Sequence, residues 1–455
     1  MKYEGLTGRI ITPSDPEYHE ARQEYNKAIN AYPSAIVYCS GTRDVINAVK
    51  WSKKNRIPLR IRSGGHNYEG YSTGNGVLVI DTSLMNSVKV DTIEETVKAQ
   101  AGTRLIDLYH ALYKYGYAFP GGTCPTVAVS GLVLGGGIGL SMRYLGLTCD
   151  SLLEAKLVDA DGDVLTASRR SNPELFWALR GAGGGNFGVV ISYKFRIVKV
   201  DKITLIRLEW DKNRAARYSF LSEWQSWLKG LDRRISAFGG IYKLGAWMNC
   251  FFYGGAEEAK AVIKPFLKIP GLTLRIIKYM DFIEAVDAIA ATYGERTAFE
   301  SVGRFVYKDF SKEELEHIID IINDAPSDDE SYFQVYSLGG AVRDVDARET
   351  AFFYRNARYI AAVSSDWEYP GEAAINEAWV RRGFDYVKKL TEGSYVNFPY
   401  RCLRNYEYAY FGGNVDRLRR IKSKYDPDNV FSFPQGIKGI IKGIKGITWG
   451  RFSTN

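Results

Sequence analysis

The chain is short of the residues that build metal sites and disulfide frameworks. Four histidines, His19, His66, His110 and His317, are scattered far apart over 455 residues, so no catalytic metal is expected. The five cysteines, Cys39, Cys124, Cys149, Cys250 and Cys402, form an odd set without CxxC spacing, which argues against a disulfide framework or a zinc site. Long apolar runs are missing as well: the first ten residues hold no signal-peptide core, and the longest apolar stretches are broken by Gly or charge. A cytoplasmic protein without a membrane contact is the expectation. Lys and Arg number 60 against 52 Asp and Glu, a net +8, but no basic run is interleaved with aromatics, so nucleic acid is not an expected partner.

What is present is the material of a globular chain, with 45% hydrophobic and 25% charged residues. Its length suits roughly two to four domains. Two glycine-lined turns carry nucleophiles: Arg62-Ser63-Gly64-Gly65-His66-Asn67-Tyr68 and Gly121-Gly122-Thr123-Cys124-Pro125-Thr126-Val127. An imidazole nitrogen or a thiolate can bond an electron-poor ring, and two such bonds would fix a planar redox cofactor in place. Taken singly, each has a plainer reading, His66 as an ordinary turn residue and Cys124 as a buried thiol.

Periodicity predicts a helix over residues 42–55 behind a Thr42 cap, a strand through Leu59-Arg60-Ile61, and strands over 76–81 and 95–101. Leu105, Leu108, Tyr109 and Leu112 mark a helix, residues 153–167 a hairpin about Asp161-Gly162, and Asn172-Pro173 a helix start. Beyond about residue 200, aromatic-rich strand candidates alternate with helices such as 312–323 and 372–390. Gly183-Gly184-Gly185-Asn186-Phe187-Gly188 follows a helix and enters a strand, the reverse of Rossmann order, so nicotinamide binding is disfavoured. Adjacent glycines still offer backbone N–H groups to a pyrophosphate.

Both turns, the run Gly131-Leu132-Val133-Leu134-Gly135-Gly136-Gly137-Ile138-Gly139, the segment from Leu175 to Gly188, and Tyr425-Asp426-Pro427-Asp428-Asn429-Val430-Phe431 with Gln435 occur in one order across most of the chain. In these features the sequence resembles the bicovalent FAD oxidases that include berberine bridge enzymes and glucooligosaccharide oxidases. The resemblance implies an α+β, two-lobed flavoprotein of the vanillyl-alcohol-oxidase type, in a bacterial-type member. Its FAD-binding domain would be built from residues 1–200 and 406–437, around a substrate domain at 201–405, a sheet covered by helices. The basic, isoleucine-rich tail at 438–455 falls outside the family pattern, and its glycine density predicts a loosely ordered terminus.

The resemblance further implies FAD linked to His66 at the C8 methyl and to Cys124 at C6. The cofactor would be lined by Arg62, Ser63, Gly64, Gly65, Asn67, Gly121, Thr123, Gly131, Gly136, Asp150, Gly184, Gly188, Val190 and Asn397, with Val127 as an oxygen gate. Residues 395–398 resemble the strand that faces the flavin, where alternation would put Tyr395 and Asn397 on one face. Departures accompany these matches: Phe398, Ile360 and Ile138 stand where relatives carry a base or its partners, and none accepts a proton. Tyr68 and then Tyr395 are the remaining candidates. Three functions stay open: an oxidase of a hydroxyl-bearing small molecule such as a sugar or polyketide, using O2 and releasing H2O2; an amine oxidase; and a flavin-carrying coat protein with little turnover.

Overall fold

Helix Thr42–Asn55 buries Val45, Ala48, Val49 and Trp51 along one stripe, as its spacing predicts. Thr42 is not its cap, however. The helix starts at Thr42 after Gly41, and the Asp44 carboxylate reaches back to the Ser40 N–H at 3.0 Å, taking a donor that the first turn leaves free. The stripe packs on Ala35, Val37, Leu78 and Ile80 of a four-stranded sheet. In the computed structural model, which describes residues 3–211 and 214–440, this sheet runs in the order Arg9–Ile11, Ala35–Tyr38, Leu78–Asp81, Leu59–Arg62. The last three strands are mutually parallel.

A second, antiparallel sheet follows in the order Val88–Asp91, Thr96–Gln100, Val189–Arg196, Leu152–Val158, Val164–Ser168. The hairpin between its last two strands turns where Asp161-Gly162 predicts, with Gly162 at φ +81°. Helix Pro173–Ala178 begins at the expected Asn172-Pro173 step.

From Lys202 onward the chain builds an eight-stranded antiparallel sheet, ordered Leu272–Asp281, Lys202–Asp211, Gly245–Phe252, Ile235–Tyr242, Ser331–Ser337, Tyr359–Trp367, Ala298–Val306, Glu392–Ser394. Helices Arg214–Trp227, Lys312–Asn323 and Ala373–Leu390 cover one face. Alternation assigns the two faces: Val363 packs under Gly383 and Ser365 bonds Asn376 on the helical side, so Ser364 and Asp366 face the other way. The whole is an α+β, two-lobed fold.

The chain then returns to the first lobe. Helix Val415–Tyr425 inserts Lys422, whose buried ammonium donates to Asn186 O at 2.8 Å, Phe431 O at 2.6 Å and the Asp426 carboxylate at 2.6 Å. Asp426 in turn accepts from Val430 N–H and Phe431 N–H at 2.8 and 2.9 Å, so every charge-bearing group of the turn is satisfied. The tail expected to be loosely ordered lies outside the described residues from residue 441 onward. Removing one partner of a buried ion pair strands the other, so Asp426→Ala is expected to cost about 3–5 kcal/mol in thermal or urea unfolding. Lys422→Met in that background should recover part of the loss; an unaltered midpoint in Asp426→Ala would contradict this account.

Candidate active site

The His66 turn is held from behind. Strand Leu59–Arg62 delivers Arg62 opposite Asp81, and the two pair at 2.5 Å, with Glu24 at 3.4 Å from the same guanidinium. Arg62 is therefore buried beneath the turn and does not line the cavity, which corrects its place among the cofactor contacts: its charge is spent on two carboxylates. Gly65, at φ +69°, backs onto Glu24, and Ser63 Oγ meets Thr82 Oγ1 at 2.8 Å. Asn67 Oδ1 accepts from the N–H groups of Glu69 and Tyr71, closing the turn on its far side.

The Cys124 turn arrives against it. A β-carbon on Gly64 would sit 2.7 Å from Ala128 N and 3.3 Å from Thr126 O, so only glycine allows the two main chains this approach. Helix Leu105–Tyr113 pins the turn through Leu105 N–H to Val127 O and Ile106 N–H to Pro125 O. Tyr109 fills the space beside Gly121, which thus packs behind the cavity wall, while Thr123 Oγ1 meets the Tyr293 hydroxyl. As a result His66 Nε2 lies 2.9 Å from Thr126 Oγ1, and Cys124 Sγ lies 3.7 Å from the same oxygen. Burial, aided by the charge of Arg104, lowers the His66 imidazole to about 4. The ring is neutral at physiological pH, with a lone pair to offer. Burial pushes the Cys124 thiol up instead.

Both turns open on one cavity of about 450 Å³, the size of an ordinary ligand pocket. Ser63, Gly64, Gly65, Asn67, Thr123, Val127, Gly131, Gly184 and Asn397 line it with the two nucleophiles. Gly136, Asp150, Gly188 and Val190 do not. Gly136 packs on Phe352, Gly188 on Val158 O, Val190 is buried in its strand, and Asp150 is consumed by the buried Arg355 guanidinium at 2.7 and 2.8 Å. Apart from His66, the only basic side chain in the lining is Arg60, so an anionic diphosphate would rest mainly on backbone N–H groups. Nucleophiles at one end, glycines along the wall and the half-satisfied Arg60 guanidinium, whose Nε has no partner, are a donor set that fits FAD. Among the described residues no group of His, Cys, Asp and Glu could hold a metal.

The opposite wall belongs to the eight-stranded sheet. The strand expected at 395–398 is absent: the strand ends at Ser394 and a turn closed by Phe398 N–H to Tyr395 O follows, although the Tyr395 and Asn397 side chains still meet on one side as expected. Tyr395 is buried, and its hydroxyl accepts from Gly137 N–H and Asn397 Nδ2, both at 3.1 Å. Burial outweighs these two hydrogen bonds and pushes the Tyr395 phenol up from its ordinary value, so it is not ionised at neutral pH and is set aside as a base there. Tyr68 points into the cavity, stacked on Phe398 at 5.1 Å and edge-on to Phe299 at 4.9 Å. Asn26 fixes this contact by donating to both Tyr68 O and Phe299 O at 2.9 Å. Burial pushes the Tyr68 phenol well above its ordinary value, so it stays protonated at neutral pH. Ile360 lies beneath Gly303, and Ile138 lines the cavity without chemistry.

The titratable carboxyl in the lining that sequence reading missed is Asp366. It follows Ser364 on the cavity face of strand Tyr359–Trp367, with Phe299 as its cross-strand partner. Burial raises its carboxyl to about 7, with the Glu330 charge adding to the effect. A lone acid at the end of the otherwise uncharged run Tyr359-Ile360-Ala361-Ala362-Val363-Ser364-Ser365 was the available signal. Gln334, Ser301 and Ser364 add polar groups nearby, and Trp247 and Tyr336 aromatic faces.

Comparison with known proteins agrees with this geometry. Residues 33–168 match the family described as FAD binding domain, and residues 394–438 match berberine and berberine like. The chain is 38% identical to the FAD-linked oxidoreductase YgaK of Bacillus subtilis over 98% of its own length and 100% of that protein's. The solved structure of Physcomitrella patens BBE-like 1 superposes with a TM-score of 0.89 at 30% identity, covering 94% of this chain and 96% of that one. That of a chitooligosaccharide oxidase gives 0.85 at 26% identity, covering 95% and 98%. The reading as a flavin-carrying coat protein with little turnover is thereby set aside in favour of an FAD-linked oxidoreductase. The chain belongs to the berberine-bridge-enzyme-like family of FAD-linked oxidoreductases.

Proposed function

We propose that this enzyme is an oxidase of a hydroxyl-bearing small molecule, such as a sugar, oligosaccharide or polyketide-like metabolite, with Asp366 as its base. The flavin, held through His66 and Cys124, would take hydride from the substrate C–H and pass two electrons to O2, giving H2O2. The observation that carries the reading is a carboxyl with a raised pKa on the wall facing the His66 turn. Asp366 would accept the hydroxyl proton as hydride leaves, while the Tyr68 phenol donates a hydrogen bond to the substrate oxygen. Gln334, Ser301 and Ser364 supply hydrogen bonds for further hydroxyls, and Trp247 an apolar face for a ring. The aromatic lining also suits a cationic amine, the second reading. A screen of sugars, phenolic metabolites and amines for anaerobic flavin bleaching separates the two.

A base must be deprotonated to work, so the rate of flavin reduction is expected to rise with pH through about 7 and level off above it. Asp366→Asn should lower that rate by about 10²–10⁴-fold in stopped-flow measurements and flatten its pH dependence. The stability sign runs the other way. A carboxyl whose folded pKa is raised favours folding when protonated and loses that contribution as pH climbs through about 7, so Asp366→Asn should raise the melting temperature at about pH 8. An unchanged reduction rate would remove Asp366 from the reaction.

Two properties of the bound cofactor are open to direct measurement. Acid-precipitated wild type should stay yellow, and His66→Ala or Cys124→Ala should each leave one link; release of all flavin from the wild type would refute attachment. Val127 lines the cavity as the expected oxygen gate, and Val127→Leu is expected to slow reoxidation of the reduced enzyme in air-saturated buffer. Wild-type reoxidation no faster than that of free reduced flavin would overturn the gate.

A further inference from the structure

His66 and Cys124 share the same two neighbours. Thr126 Oγ1 approaches both, at 2.9 Å from the imidazole Nε2 and 3.7 Å from the thiol. Tyr25 lays its ring on the imidazole, with centroids 4.0 Å apart and an interplanar angle of 24°, and its hydroxyl lies near enough to the Cys124 thiol to oppose the effect of burial on it. Tyr25 is itself anchored, its N–H donating to Gly65 O at 2.9 Å inside the His66 turn. Thr126 is exposed and Tyr25 meets the cavity, so neither side chain is part of the buried core.

An unrestrained imidazole rotates about its side-chain bonds and presents either nitrogen. Here stacking fixes the ring plane, and the Thr126 hydroxyl occupies Nε2, so Nδ1 is the nitrogen left to form a bond. The thiol has the Thr126 hydroxyl at 3.7 Å and the Tyr25 hydroxyl nearby. We propose that Thr126 and Tyr25 are the positioning residues for covalent cofactor attachment, Thr126 selecting the reactive imidazole nitrogen and Tyr25 clamping the imidazole and the thiol in a single arrangement. The proposal rests on the reading that both His66 and Cys124 bond the flavin.

Each link exchanges hydrogens for a new bond. The imidazole gives up its N–H hydrogen and the C8 methyl one of its hydrogens as the C–N bond forms; the thiol gives up its hydrogen and ring C6 its own as the C–S bond forms. In each case the two protons and two electrons released pass to dioxygen, which leaves as hydrogen peroxide. A neutral imidazole is available at every pH above about 4, whereas the thiol, raised by burial, is mostly protonated at neutrality. The C–N bond should therefore form first, and C–S formation should accelerate with pH.

The test is the acid-stable flavin content, assigned by peptide mass mapping, in backgrounds with one link each. With Cys124→Ala, Thr126→Val is expected to slow histidyl attachment about tenfold, and Thr126→Ser to restore it. With His66→Ala, Tyr25→Phe, which keeps the ring and removes only the hydroxyl, should slow cysteinyl attachment by a similar factor. Melting temperatures should stay at those of the parent single-link proteins, since no buried contact is lost. If the wild type keeps its flavin through acid while Thr126→Val and Tyr25→Phe attach it at parental rates, the proposal falls and the attachment reading stands. Loss of flavin from the wild type itself overturns both.

Discussion

The contact of Gly64 with the main chain of residues 126–128 is the constraint on which the active site depends. Two turns far apart in sequence, one at the end of a parallel strand and one pinned to a helix start, come close enough for a single threonine hydroxyl to touch both nucleophiles. A β-carbon at that contact would move main chain against main chain, and neither side has a flexible side-chain end that could yield. The buried Arg62, Asp81 and Glu24 cluster stiffens one turn and helix Leu105–Tyr113 the other, so their convergence is built into the scaffold.

Placing the two chemistries on separate lobes divides the labour. The first lobe supplies a cofactor wall of glycines with little charge, and the second a sheet face on which small residues alternate with functional ones. Across that face Gly240 pairs with Gln334, Gln334 with Ala362, and Ala362 with Gly303, a trough of small side chains around one amide. Trp247 stands at one end, opposite Gly240, and Phe398 at the other, over Gly303. Asn26, buried between the lobes, ties Tyr68 on one side to Phe299 on the other.

Much of this was legible in the chain. The two nucleophile turns, the helix over residues 42–55, the Asp161-Gly162 hairpin and the helix over residues 312–323 follow from glycine placement and apolar spacing, which are local signals. The failures have physical reasons. Residues 395–398 carry a strand-like pattern, but Phe398 is drawn back by a turn and stacks on Tyr68, a tertiary contact that no period encodes. Arg62 and Asp150 sit in motif positions yet are neutralised by partners distant in sequence, Asp81 and Arg355. Asp366 carries a local signal as a lone acid after an uncharged run, but only the pairing of strands Ala298–Val306 and Tyr359–Trp367 sets it beside Phe299, next to Tyr68.

The return of the chain to the first lobe bears on how the enzyme is made. Phe431, Ser432, Phe433 and Gln435 form part of the cavity wall, and the Lys422 and Asp426 pair locks that segment to Asn186. The cavity thus stays incomplete until residues 431–435 have docked on the first lobe. A chain truncated before this segment would present an open trough where the finished protein has a closed wall.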